Sequence, residues 1–119
     1  MSSPRVKVCG ITRTEDGRLA VSLGASYLGF ILYPKSPRSI DLEDFESLHN
    51  SLPDSFRVLV DVRPSIETVK KQVEAGFDFF QIHFSEMHDT DYLGELSQTV
   101  GHDRLWVAPK ISPDVLFPE

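Results

Sequence analysis

The chain has 119 residues, of which 40% are hydrophobic, 10% aromatic and 25% charged, values of an ordinary soluble globular domain and outside the range of disordered or membrane chains. Lys and Arg number 12 against 18 Asp and Glu, a formal net charge of -6, which argues against a nucleic-acid or anionic-membrane binder because phosphate neutralisation needs a cationic surplus. No apolar run approaches the roughly 20 residues of a membrane span, and Met1-Ser2-Ser3-Pro4-Arg5 leads into a strand-like run instead of a signal-peptide core, so one cytoplasmic domain is expected.

In chain order, Arg5 to Cys9, Tyr27 to Leu32, Phe56 to Asp61, Phe77 to Phe84 and Arg104 to Ile111 are nearly continuous apolar runs rich in Val, Ile, Phe and Tyr. That is the pattern of parallel strands covered on both faces. Helix punctuation lies between them. Thr12 and Glu15 have capping-box spacing, Leu19, Ala20 and Leu23 share a helical face, and Gly24 stands at the C-terminal cap. Asp41 to Leu52 carries Leu42, Phe45 and Leu48 and is followed by Pro53. Ser65 caps a segment with Ile66, Val69 and Val73 that stops at Gly76, and Asp89 to Val100 carries Leu93 and Leu96 before Gly101.

Four strand-helix units and a fifth strand imply right-handed crossovers on a parallel α/β sheet. Two architectures fit. A five-stranded doubly wound sheet of flavodoxin type uses the whole length. A (β/α)8 barrel fits the unit size: four units run from Arg5 to Arg104, so eight need about 200 residues, the lower end of barrel length. On that reading residues 1–119 are the N-terminal part of a single barrel, truncated after about strand five.

Either architecture puts its site at the carboxyl ends of the strands, which directs attention to the loops after Cys9, Leu32, Asp61, His83 and Ile111. The lone Cys9 cannot form an internal disulfide or a Cys-rich zinc site. Its position at a strand end before Gly10 makes it either a buried small hydrophobe or a thiolate base or nucleophile. Tyr33-Pro34-Lys35-Ser36-Pro37-Arg38-Ser39 presents two cations from a proline-stiffened loop. Arg38 suits a bidentate grip on a carboxylate or phosphate, or is a solvated surface charge, as Lys35 is expected to be. Gln81 and His83 alternate about Ile82 and share a strand face. His83 and His88 lack a third metal ligand, and Asp61 is either a substrate-orienting group or a turn residue. No Walker A or glycine-rich dinucleotide sequence is present, so no nucleotide cofactor is expected. Lys110 is the lysine placed near a strand end for Schiff-base chemistry.

Val6-Lys7-Val8-Cys9-Gly10-Ile11-Thr12 resembles the phosphoribosylanthranilate isomerase family. The likeness continues through Leu28 to Ile40, with Tyr33-Pro34-Lys35-Ser36-Pro37-Arg38-Ser39 inside it, then Phe80-Gln81-Ile82-His83 and Arg104 to Lys110. It covers the chain but only the first half of that family's barrel. Arg63 stands where the family usually has Asn, and Phe84 where it usually has Gly. The resemblance implies an Amadori rearrangement of a phosphorylated sugar-anthranilate, with no cofactor and no metal. Cys9 is then the base, Arg38 holds the anthranilate end, and Gln81 and His83 line the substrate pocket. The family's general acid, an Asp on strand six, and its phosphate-binding loops have no counterpart before Glu119. The fragment is therefore expected to be inactive alone, and to self-associate or bind its C-terminal half. The competing expectation is a noncatalytic half-barrel or flavodoxin-like binding module. A different enzyme on the same half-barrel, an aldolase or epimerase, would need a metal or a Schiff-base lysine.

Overall fold

A computed structural model describes residues 5–84 and 90–109. The chain alternates β1 (Lys7–Cys9), α1 (Thr14–Ser22), β2 (Tyr27–Ile31), α2 (Leu42–His49), β3 (Phe56–Val62), α3 (Ile66–Glu74), β4 (Phe79–Phe84), α4 (Thr90–Val100) and β5 (Leu105–Pro109), with a 3-10 turn at His102–Arg104 before β5. All four strand pairings are parallel, and the sheet order is β1-β2-β3-β4-β5.

That sequential order decides between the two architectures. A flavodoxin-type sheet reverses direction after its first crossover, so its strand order is 2-1-3-4-5. Here every right-handed crossover steps to the next position the same way, as in a barrel wall, and the flavodoxin alternative is excluded.

The two faces of the sheet are built differently. Leu28, Phe30, Leu59, Phe80 and Ile82 pack against Phe45, Val69, Phe77, Tyr92, Leu96 and Val100 in one core on the helix side. Tyr27, Ile31, Val58 and Val60 form a second, smaller cluster with Cys9, Tyr33, Phe79 and Trp106, drawn from strands and the loop after β2. In that second cluster Tyr27 stacks on Phe56 with centroids 5.2 Å apart, and Phe79 stacks on Trp106 at 4.9 Å. The alternation of the strands assigns each residue to one face or the other.

The elements agree with the sequence in kind and differ at their edges. The α1 N-cap is Arg13, with no side-chain cap bond, instead of Thr12; Arg13 pairs with Asp16 at 3.3 Å. Leu19 and Leu23 are 58% and 79% exposed, because α1 lies on the sheet through the small residues Gly17 and Ala20, which lets the helix backbone approach closely. Helices α2 and α3 are capped as expected: Asp41 accepts from the Asp44 amide and Ser65 from the Thr68 amide. The buried face of α4 is Tyr92, Leu96 and Val100, with Leu93 half-buried. Among the described residues no helix is long and apolar enough to cross a membrane.

Candidate active site

The face of the sheet away from the helices carries Lys7, Cys9, Gln81 and His83. Lys7 and Cys9 are two apart on β1, Gln81 and His83 two apart on β4, so each pair shares a face. The Lys7 ammonium donates to Gln81 Oε1. In a flat sheet β1 and β4 lie three strand spacings apart, about 14 Å, too far for these side chains to meet. Their contact shows that the sheet curls, and it makes this the concave side. Gln81 Nε2 and His83 Nε2 are 3.1 Å apart. Burial, with the Lys7 charge second, pushes the His83 imidazole below its ordinary range.

Cys9 is half-buried at the end of β1. Its register partner is Gly29, and a Cβ built on Gly29 would stand 3.0 Å from Cys9 Sγ and 3.1 Å from Cys9 Cα. The thiol therefore occupies space that any side chain at position 29 would claim. The amides of Gly10 and Ile11 both donate to the Gly29 carbonyl, at 3.0 and 3.1 Å, which ties the first loop to β2 beside the thiol.

Arg38 is delivered to the same place. Ser36 is buried and its hydroxyl accepts from the Arg38 amide at 3.3 Å, while Ser39 forms a parallel bridge with Ile31. These anchors swing the loop back, and the exposed guanidinium lies over Gly10 (φ 84°). Lys35 is exposed, as expected.

Asp61 belongs to the other face. It is 6% exposed, accepts from its neighbour's amide, Val62, at 2.7 Å and from Gln72 Nε2 of α3 at 3.0 Å, and burial raises its carboxyl above the ordinary range. Asp61 is thus a buried structural group under α3 and neither orients a ligand on the concave face nor caps a turn. A cavity of about 440 Å³ opens beside it between Leu32, Leu42, Pro64 and Gln72. It is on the helix side and contains none of Cys9, Arg38, Gln81 or His83.

Arg63 has φ 38°, a left-handed conformation that Asn tolerates better than Arg. Its guanidinium sits 4.6 Å from the Tyr92 ring centroid on the helix side. His88, Lys110 and Ile111 lie outside the described residues. Among the described residues the lysine on the concave face is Lys7, which the apolar reading of the first run passed over, as it passed over Gly29. The period-two spacing from Cys9 was the available signal for Lys7. Among the described residues no three His, Cys, Asp or Glu side chains come together to hold a metal.

The family model for N-(5'-phosphoribosyl)anthranilate (PRA) isomerase matches residues 6–115. The N-(5'-phosphoribosyl)anthranilate isomerase of Aquifex aeolicus is 37% identical over 103 residues, 85% of this chain and 48% of that protein. A solved phosphoribosyl anthranilate isomerase, in complex with reduced 1-(o-carboxyphenylamino)-1-deoxyribulose 5-phosphate, superposes with a TM-score of 0.73 at 33% identity, over 88% of this chain and 52% of the other. Monomers generated from the dimeric Thermotoga maritima enzyme superpose with a TM-score of 0.74 at 33% identity, over 87% and 50%. The chain thus spans about half the length of the relatives it matches, and its five strands follow the first half of a TIM-type barrel. On sequence and fold together, the chain belongs to the phosphoribosylanthranilate isomerase family.

Proposed function

We propose that residues 1–119 are the N-terminal part of a single (β/α)8 barrel that rearranges N-(5-phosphoribosyl)anthranilate to 1-(2-carboxyphenylamino)-1-deoxyribulose 5-phosphate, a step of tryptophan biosynthesis, in the cytoplasm. The observation that carries the reading is the placement of Arg38 over Gly10, the residue after Cys9. A guanidinium that grips a carboxylate and a thiol at a strand end are thereby held together by two separate loops.

The reaction needs an acid for the furanose ring oxygen and a base for the sugar C2 proton. Ring opening gives an iminium, and loss of the C2 proton then gives the enolamine, which tautomerises to the ketose. Cys9 is assigned as the base: next to an iminium the C2 proton is already acidified, so a thiolate suffices. Arg38 meets the anthranilate carboxylate or stacks on its ring. Gln81 and His83 supply the polar wall. The acid and the phosphate loops are assigned to the C-terminal half, the partner of β1 and β5.

The test is Cys9→Ala in a complete barrel containing residues 1–119. Turnover should fall about 100-fold or more, the worth of a positioned proton-transfer group. Near-normal turnover would remove Cys9 from the mechanism.

A further inference from the structure

We infer that Lys7 and Gln81 are positioning residues that hold His83 as the neutral imidazole with its proton on Nδ1, so that His83 transfers no proton at neutral pH. This rests on the proposed concave-face site and deepens it, since it specifies what His83 offers a substrate.

The argument is one of donors and acceptors. An ammonium has three donors and no acceptor, so the only end of the Gln81 amide that can meet Lys7 is its oxygen. The amide nitrogen is then turned to His83 Nε2, 3.1 Å away. An amide nitrogen donates and does not accept, so Nε2 must present its lone pair. A proton on Nε2 would set two N–H groups against each other. A neutral ring with an unprotonated Nε2 carries its proton on Nδ1.

The surroundings act in the same direction. From β1 the charged group facing His83 is Lys7, with Cys9 two residues further on. On β3 the register partner of His83 is Val62; Asp61 is bonded to Gln72 under α3, and Arg63 lies over Tyr92. On β5 the register partner is Ala108. A cation and burial both disfavour the imidazolium. The proton delivered to the furanose ring oxygen therefore comes from another group.

The experiment is two-bond 1H–15N imidazole correlation on the 15N-histidine-labelled chain, followed from pH 8 to 5. The expected wild-type spectrum shows His83 neutral at pH 7, protonated on Nδ1, with a midpoint below the ordinary 6.5. Lys7→Arg keeps a donor-only group and should keep the Nδ1–H form. Gln81→Glu puts acceptors at both ends and should move the proton to Nε2 and raise the midpoint by at least one pH unit, tenfold in proton affinity. Lys7→Met frees the amide to turn over and should give mixed tautomers. An Nε2–H form in the wild type overturns the inference without any variant, and so does an unchanged tautomer in folded Gln81→Glu. The readout uses no turnover, so a failed Cys9 assignment and a failed tautomer assignment are separate results.

Discussion

The Arg38 guanidinium rests on the bare backbone of Gly10: a Cβ built there would lie 3.0 Å from both Cζ and Nε, and 3.1 Å from Nη1. Gly10 also has φ 84°, a conformation L side chains rarely adopt. Two independent constraints, space for the arginine and backbone handedness, therefore require glycine next to Cys9.

Gly10→Ala should strain the first loop by about 1–2 kcal/mol and push the guanidinium off its seat. Arg38→Ala removes the cation and leaves the loop unstrained. If Arg38 binds a carboxylate charged in both ground and transition states, its loss raises KM more than it lowers kcat. Steady-state kinetics of the two variants in a complete barrel, beside thermal melts, check this. Unchanged KM in Arg38→Ala would return Arg38 to the status of a loop cation.

Arg57 holds the helix layer beneath that site. Its guanidinium is buried and donates to the carbonyls of His49, Leu52, Pro53 and Ser55, to Ser55 Oγ, and through Nε to His49 Nδ1 at 3.0 Å. The four carbonyls belong to the last turn of α2 and the turn before β3, where the His49 carbonyl also accepts from the Leu52 amide at 3.4 Å and the Pro53 carbonyl from the Ser55 hydroxyl at 3.5 Å. Arg57→Met should strip the guanidinium bonds from all four carbonyls, the buried Leu52 among them, and cost about 3 kcal/mol. Denaturant unfolding measures it, and a loss below about 1 kcal/mol would show that water replaces the guanidinium.

The strands were legible because continuous apolar runs have few other readings, and the caps at Asp41 and Ser65 because a side-chain oxygen at that position has one local use. Strand order was not legible. Crossover handedness is local, but whether β2 continues or reverses the sequence depends on contacts between whole units, and only the resemblance favoured the barrel. Leu19 and Leu23 misled because hydrophobic periodicity assumes that large side chains face the core, whereas α1 uses Gly17 and Ala20. Cys9 and Arg38 were singled out by motif, and the structure brings the loops that carry them together, with Arg38 over Gly10. Lys7 was not singled out, since a lysine inside a short strand reads as a solvated edge until the curl of the sheet brings Gln81 to it.

Asp61 predicts a pH dependence with a definite sign. Burial raises its folded-state carboxyl, so the folded chain binds more protons than the unfolded chain between the ordinary carboxylate value and the raised one. This contribution to stability is fully present below the ordinary value, is lost as pH rises through the folded value, and is flat above it. Asp61→Asn should abolish that fall and be no less stable than the wild type at pH 7. Unfolding midpoints from pH 3 to 8 test it; an identical slope in the variant would mean another carboxyl is responsible.

The sheet order leaves β1 and β5 each hydrogen-bonded to one neighbour strand among the described residues. Edge strands present unpaired N–H and C=O groups that another strand can satisfy, and a closed barrel satisfies both edges at once. The concave face adds Phe56, 45% exposed, beside the half-buried Phe79 and Trp106, an apolar surface of the kind that associates in water. Residues 1–119 purified alone should therefore self-associate and show no isomerase activity, and adding the separately produced C-terminal half should give a defined complex with activity restored. Light scattering reports the mass and an isomerase assay the turnover, each with and without that half. A monodisperse monomer of residues 1–119 that turns over substrate would show that the base, the acid and the phosphate site all lie within this chain, and would overturn the assignment of the acid to the other half.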